Sequence, residues 1–323
     1  MACTPCEVRL HPLSMVKRGR RALGMVSRGR RALGSRMLKT QRSGYAPAMP
    51  ETAPPHLLPP FPPDAFTRVL CVVAHPDDVE YGTSSAVAAW TAQGVEVAYL
   101  LLTRGEAGMD NTPPEETARL RVEEQIAASL AVGVEQVDFL DYPDGVLEYS
   151  IAMRKDIARA IRAYRPDALL VGSWDVEFIA GLNQADHRVA GLAALDALRD
   201  AGNRWVFTDL IDEGLTPHSV RWLLIGGDSR PTHGVDVTGE ALERGIASLE
   251  AHGQYLASLQ GHPPVRPMIS GIAGMQGRAM GVPHAVLFRA WDFHAPPPMA
   301  AEIFGDAAPA SAPTEAAEAA EDL

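Results

Sequence analysis

Five short, apolar, β-branched runs recur along the chain, at residues 68–74, 95–103, 137–140, 168–173 and 220–225. Runs of this length and composition read as strands buried on both faces. Between them lie segments of helical composition. Residues 83–93 stop at Gly94, residues 112–132 stop at Gly133, and Ser150 opens a helix over 150–164. Further helices are predicted over 186–200 and 238–259, with a short strand at 235–237. Strands alternating with helices predict an α/β fold, a Rossmann-like, mostly parallel sheet with helices on both faces. Ligands in such sheets bind beyond the carboxyl ends of the strands, so the loop after the first strand is the first place to look for chemistry.

The chain is 46% hydrophobic and 21% charged, enough to bury a core. No run approaches the roughly 18 apolar residues of a membrane span, which argues against stable membrane insertion. Of three cysteines, Cys71 lies inside an apolar run, and Cys3 and Cys6 form a lone CxxC without a second pair. That is neither a disulfide framework nor a four-ligand zinc module, and it fits a reducing, cytoplasmic setting. Charge is unevenly spread. Residues 1–44 carry eleven Lys or Arg against one acid, Glu7, while the whole chain is at −11. The remainder is therefore strongly acidic, which excludes a nucleic-acid enzyme built on a basic face. The basic arm contains a ten-residue repeat, MVKRGRRALG then MVSRGRRALG, that builds no core, and Met49 reads as an alternative start. Three regions are expected: a disordered basic and Pro-rich segment over 1–63, a folded body over 64–294, and an acidic low-complexity tail over 295–323.

The loop after the first strand reads Ala74-His75-Pro76-Asp77-Asp78-Val79-Glu80-Tyr81-Gly82. It has no Gly-rich phosphate cradle, so a dinucleotide site is disfavoured. Two adjacent carboxylates cannot point the same way in extended backbone. One can bind a metal while the other faces water. One imidazole, one carboxylate and one further ligand leave coordination positions open, as in a catalytic zinc site. A Pro-Asp-Asp turn is the simpler alternative. After the fourth strand comes Asn183-Gln184-Ala185-Asp186-His187-Arg188, also at a strand's carboxyl end. The two clusters can therefore meet on one edge of the sheet.

These stretches resemble the LmbE-like/PIG-L family of zinc-dependent N-acetylglucosaminyl deacetylases. The resemblance covers most of 68–290 and includes AHPDDVEYG, LLTRGEAG at 101–108, LRVEEQIAASLAVGV at 120–134, YPDG at 142–145, ADHR at 185–188 and VDVTGEALERGIASLEAHGQY at 235–255. It implies hydrolysis of an acetamide on an amino sugar or its conjugate. It implies His75, Asp78 and His187 as ligands of one Zn2+, with Fe2+ or another divalent ion as alternatives, and Asp77 as general base. Arg121 and Asp144 are implied to bind sugar, and Arg104 to line the mouth. The family's second motif is often HPDH, its first His polarised by the Asp and assisting at the oxyanion. Here Asp186 is retained and Gln184 stands at the imidazole position, so a scheme with two acid–base histidines loses one. His252 and His284 are candidate helpers in its place, near the substrate.

The implied partner is a small amino-sugar substrate, and the sequence leaves room for a homo-oligomer. Two other readings remain: a sugar- or metal-binding module without turnover, and an amidase acting on a mycothiol-type conjugate or an antibiotic glycoside. Asp77 beside the ligands argues for turnover.

Overall fold

The structure, a computed structural model, describes residues 57–295. One sheet has seven strands, in the order Gln136–Phe139 (β3), Glu96–Leu101 (β2), Arg68–Val73 (β1), Ala168–Gly172 (β4), Trp222–Gly226 (β7), Ala285–Asp292 (β9) and His233–Asp236 (β8), while β5 (Glu177–Phe178) and β6 (Gly181–Leu182) pair separately. Its parallel part comprises β3, β2, β1, β4 and β7. The chain builds outward from β1 to β2 and β3, then returns to place β4 on the other side of β1. The switch point of the sheet therefore lies between β1 and β4, where loops diverge and leave a crevice.

Alternation along β1 separates two cores. Val69, Cys71 and Val73 face α1 (Ser84–Ala92) and α6 (Glu240–Glu250), together with Tyr99, Leu101 and Leu170. Leu70, Val72 and Ala74 face α3 (Ile151–Tyr164) and α4 (Ala185–Ala201). The third helix shows how sequence makes the element. Ser150 caps it by accepting the Met153 N–H, and Met153, Ile157 and Ile161 recur every four residues on its buried face. Each of these side chains contributes about 1.5–3 kcal/mol on burial. On α4 the buried face is mostly alanine, and a Cβ at Gly191 would lie 2.6 Å from the Gly172 carbonyl oxygen. Small residues thus let α4 descend onto the end of β4, which carries Asp186 and His187 to the crevice.

The sheet is mostly parallel, as expected, with β9 (Ala285–Asp292) inserted antiparallel between β7 and β8 (His233–Asp236). The elements toward the C-terminus differ from expectation. Residues beyond 259, left without elements by their sequence, form both α8 (Val265–Gly277) and that strand. The helix expected over 238–259 is broken into α6 and α7 (Gly253–Ser258), with His252 outside helical geometry at φ −79°, ψ 43°. Glu124 compensates the break by accepting the N–H groups of Gln254 and Tyr255 at the new helix start. Residues just before 64 pack on the sheet. Phe61 stacks on His233 and meets Phe66, Trp222 and Phe288 edge-on or tilted, and Pro60 bridges to Gly234. The repeat, Cys3, Cys6 and the tail from 296 lie outside the described residues. Among the described residues no helix is long and apolar enough to cross a membrane.

Candidate active site

His75 and Asp78 follow β1, Asp144 follows β3, and Asp186 and His187 open α4 after β4, all at the carboxyl edge of the sheet. His75 Nε2 lies 3.0 Å from Asp144 Oδ1 and 3.3 Å from Asp186 Oδ2. Two flanking carboxylates place the ring's proton on Nε2 and leave Nδ1 as the coordinating nitrogen. Asp78 spends Oδ2 on the N–H groups of Ala74 and His75, at 3.0 and 2.9 Å, which leaves Oδ1 free to coordinate. That oxygen is 3.6 Å from His75 Nδ1 and 3.0 Å from His187 Nε2. His187 in turn sets Nδ1 against Asn183 Oδ1 at 3.2 Å. The donor atoms of His75, Asp78 and His187 all lie within 4.8 Å of one another, and a second such group, His75 with Asp144 and Asp186, shares the same imidazole.

The first group fits a divalent ion better. Each donor there has its other polar atom held by protein, whereas Asp186 in the second already accepts the Gly145 and Leu147 N–H groups at 2.7 and 3.1 Å. Electrostatics agree. Burial works against a charged His75, yet Asp78 and Asp144 override it and push the imidazole up to about 11. Burial also opposes ionised Asp78, but His187 and His75 hold its carboxyl well below the usual range. A field that favours a proton this strongly favours a metal cation at the same place. Two nitrogens and one oxygen suit zinc or iron(II).

Asp77 is not among these donors. Its Oδ2 is 3.0 Å from Arg121, whose side chain is 3% exposed. Arg121 also donates to the Pro76 carbonyl and lies 3.8 Å over the Tyr255 ring. The TRGEAG loop closes over the guanidinium. Gly105 sits at φ +70°, and a Cβ there would lie 2.8 Å from Arg121. Burial raises Asp77 to about 6 against the opposing charge of Arg121.

The residues expected to meet substrate lie as follows. Arg121 is buried and paired with Asp77. Asp144 holds His75 and accepts the Ala107 N–H at 2.8 Å. Arg104, half-buried, pairs with Asp141 in a cleft that also includes Glu106, Glu115 and Tyr142. Gln184 is exposed at the start of α4, and its side chain caps nothing. The His284 ring packs beside Gly274 of α8, and no hydrogen bond joins it to the cluster. His252 lies inside the protein. It is 0% exposed, enclosed with Glu80 at 3.9 Å, and faces the protein interior. Glu80, Gln125, Asn183 and Tyr255 were not singled out as site residues from sequence. A polar side chain at a helical position looks solvent-exposed until its partner is known.

His252 supplies a pH test. Burial, with the Arg121 charge adding to it, holds the imidazole down to about 3, and the neighbouring Glu80 is pushed up by burial to about 8. The unfolded chain takes up the His252 proton near 6.5, the folded chain not until about 3. Its contribution is therefore complete above about 6.5 and is lost as pH falls through that window. Chemical denaturation of wild type and His252→Asn should show the variant gaining on wild type as pH drops, by up to ~1.4 kcal/mol per pH unit. A difference independent of pH would contradict a neutral His252.

Residues 70–198 match the family model described as PIG-L, GlcNAc-PI de-N-acetylase. The diacetylchitobiose deacetylase of Thermococcus kodakarensis is 32% identical over 191 residues, covering 57% of this chain and 68% of that protein. The chain belongs to the PIG-L, or LmbE-like, deacetylase family. Its fold is that of a solved family member, the N,N'-diacetylchitobiose deacetylase of Pyrococcus horikoshii, with a TM-score of 0.63 and 25% identity over 70% of this chain and 84% of that one. Another PIG-L relative, the 1D-myo-inositol 2-acetamido-2-deoxy-alpha-D-glucopyranoside deacetylase of Kineococcus radiotolerans, is 38% identical over 88 residues, 25% of this chain and 24% of that protein.

Proposed function

We propose that this chain is a zinc-dependent hydrolase that removes an acetyl group from the amide nitrogen of an amino sugar or amino-sugar conjugate, in a reducing cytoplasmic setting. The observation that carries the reading is the separate employment of the adjacent Asp77 and Asp78. One carboxylate is turned into a group of metal donors, and its neighbour is held beside them by Arg121. A binding module has no use for the second. His75, Asp78 and His187 would hold the ion. Lewis acidity toward the amide carbonyl, and a more acidic water, is the chemistry a divalent ion supplies there.

Asp77 takes the proton of the attacking water on its carboxylate, and Arg121 fixes that group in place. It then returns the proton to the amide nitrogen as the C–N bond breaks, giving acetate and the free amine. Asp144 and Asp186 keep the His75 proton on Nε2 throughout. Gln184, exposed beside the donors, offers an N–H to the developing oxyanion but no titrating proton.

The test is a screen of N-acetyl amino sugars and their conjugates with zinc-loaded protein, with free amine measured as product. Release of amine from none of them would overturn the reading. A second measurement addresses the missing imidazole. Gln184→His should fold normally, because the position is exposed, and should broaden the pH–rate profile. His284→Ala should leave the basic limb of the wild-type profile where it is. Loss of that limb would make His284 the proton donor and remove Asp77 from the second transfer.

A further inference from the structure

Asp77 lies at φ +90°, a region that residues with a β-carbon enter at a cost. Asp77 is the proposed general base, so what maintains this conformation matters to the proposed function, on which this inference rests. Three residues of α2 (Pro114–Ala131), at spacing i, i+3 and i+4, converge there. Arg121 holds the carboxylate, and Glu124 anchors the turn that carries Tyr255. Gln125 holds the backbone itself, because its Oε1 accepts the Asp77 N–H at 2.9 Å.

The amide of Gln125 has only one workable orientation. Its Nε2 donates to Glu80 Oε1 at 3.0 Å and to Ser129 Oγ at 3.2 Å. Turned over, it would set donor against the Asp77 N–H and acceptor against the Glu80 carboxyl. Gln125 and Glu80 are each 1% exposed, so solvent does not compete for these bonds. Ser248 touches the same cluster from the far side, with its main bond to the Ala128 carbonyl at 2.8 Å and a longer one of 3.4 Å to Glu80.

We infer that Gln125, locked in orientation by Glu80, is the positioning residue that keeps Asp77 in its left-handed conformation and thereby aims the general base. It touches neither the metal donors nor the space beside them, so its effect passes through the Asp77 main chain. Removing its acceptor oxygen should let residue 77 relax and move the carboxylate, and small displacements of a reacting group cost large factors in rate.

Gln125→Met keeps the length and shape of the side chain and deletes its hydrogen bonds, and Gln125→Asn, one methylene shorter, is the milder variant. With zinc-loaded protein and a substrate from the screen, either should lower kcat about tenfold or more with KM and bound-metal stoichiometry unchanged. Amide hydrogen exchange in the peptide spanning residue 77 should accelerate by a similar factor. Ser248→Ala, which perturbs the cluster without touching Gln125, should match wild type in both readouts. Wild-type kcat and exchange in the Gln125 variants would overturn the inference. So would an equal loss in Ser248→Ala, which would mark general loosening. If the wild-type protein deacetylates nothing, the functional reading fails by itself, and faster or unchanged exchange in the Gln125 variants still decides whether Gln125 holds the backbone.

Discussion

Asp77→Asn should lower kcat by a factor of roughly 10²–10⁴, the range expected when a general base is removed. The substitution separates chemistry from shape. Asparagine is nearly isosteric and enters the left-handed region more readily than most residues, so the main chain at φ +90° is preserved. The metal donors are untouched, because Asp77 ligates nothing in the His75–Asp78–His187 group, and bound metal should remain stoichiometric. The cost appears elsewhere. Arg121 is 3% exposed and loses the charge facing it. Breaking a buried ion pair from one side destabilises by about 3–5 kcal/mol when nothing else compensates. Here the Pro76 carbonyl and the Tyr255 ring remain, so the loss of folding stability should fall toward or below the lower end of that range. Turnover is measured with zinc present and stability by denaturation. An Asn variant within tenfold of wild-type kcat would show that Asp77 is only a turn residue paired with an arginine.

His187→Ala should abolish stoichiometric metal binding without unfolding the chain. The imidazole is one of three donors, and its Nδ1 partner Asn183 is held independently by the carbonyls of Ser173 and Asp175. Its side chain is 26% exposed, so truncation leaves little buried void. Metal analysis after dialysis, paired with circular dichroism, decides the matter. Full retention of metal in the variant would shift the site to His75, Asp144 and Asp186, the other group that shares the His75 ring. The two groups make opposite demands on that ring, because the second needs Nε2 bare and the first needs it protonated.

Much of this site could be read before the fold was known, for a physical reason. His75, Asp77 and Asp78 sit within four residues of one another at the end of an apolar strand, and Asp186 and His187 are adjacent at the start of a helix. Chemistry concentrated locally, on elements whose periodicity is plain, survives translation into sequence. Strand order then needs only the rule that parallel sheets gather their functional loops at one edge. The left-handed Asp77 is different. Nothing in His-Pro-Asp-Asp shows that residue 77 takes φ +90°, because that choice is made by an acceptor forty-eight positions away on Gln125.

By itself, then, the sequence determined the alternation of strands and helices, the edge of the sheet that carries chemistry, and the residue types able to hold a metal and move a proton. Periodicity and local spacing are properties of neighbours along the chain, and those features depend on little else. Tertiary structure alone decided which charged residues face inward. Arg121 and Glu124 recur at the spacing of an exposed helical pair, yet one is sealed against Asp77 and the other caps the start of α7. His252, a candidate helper near the substrate by its sequence, is enclosed with Glu80. The antiparallel insertion of β9 between β7 and β8 likewise depends on partners that come later in the chain. A buried polar group is tolerated only where its partner meets it, and sequence records the group without recording where the partner will stand.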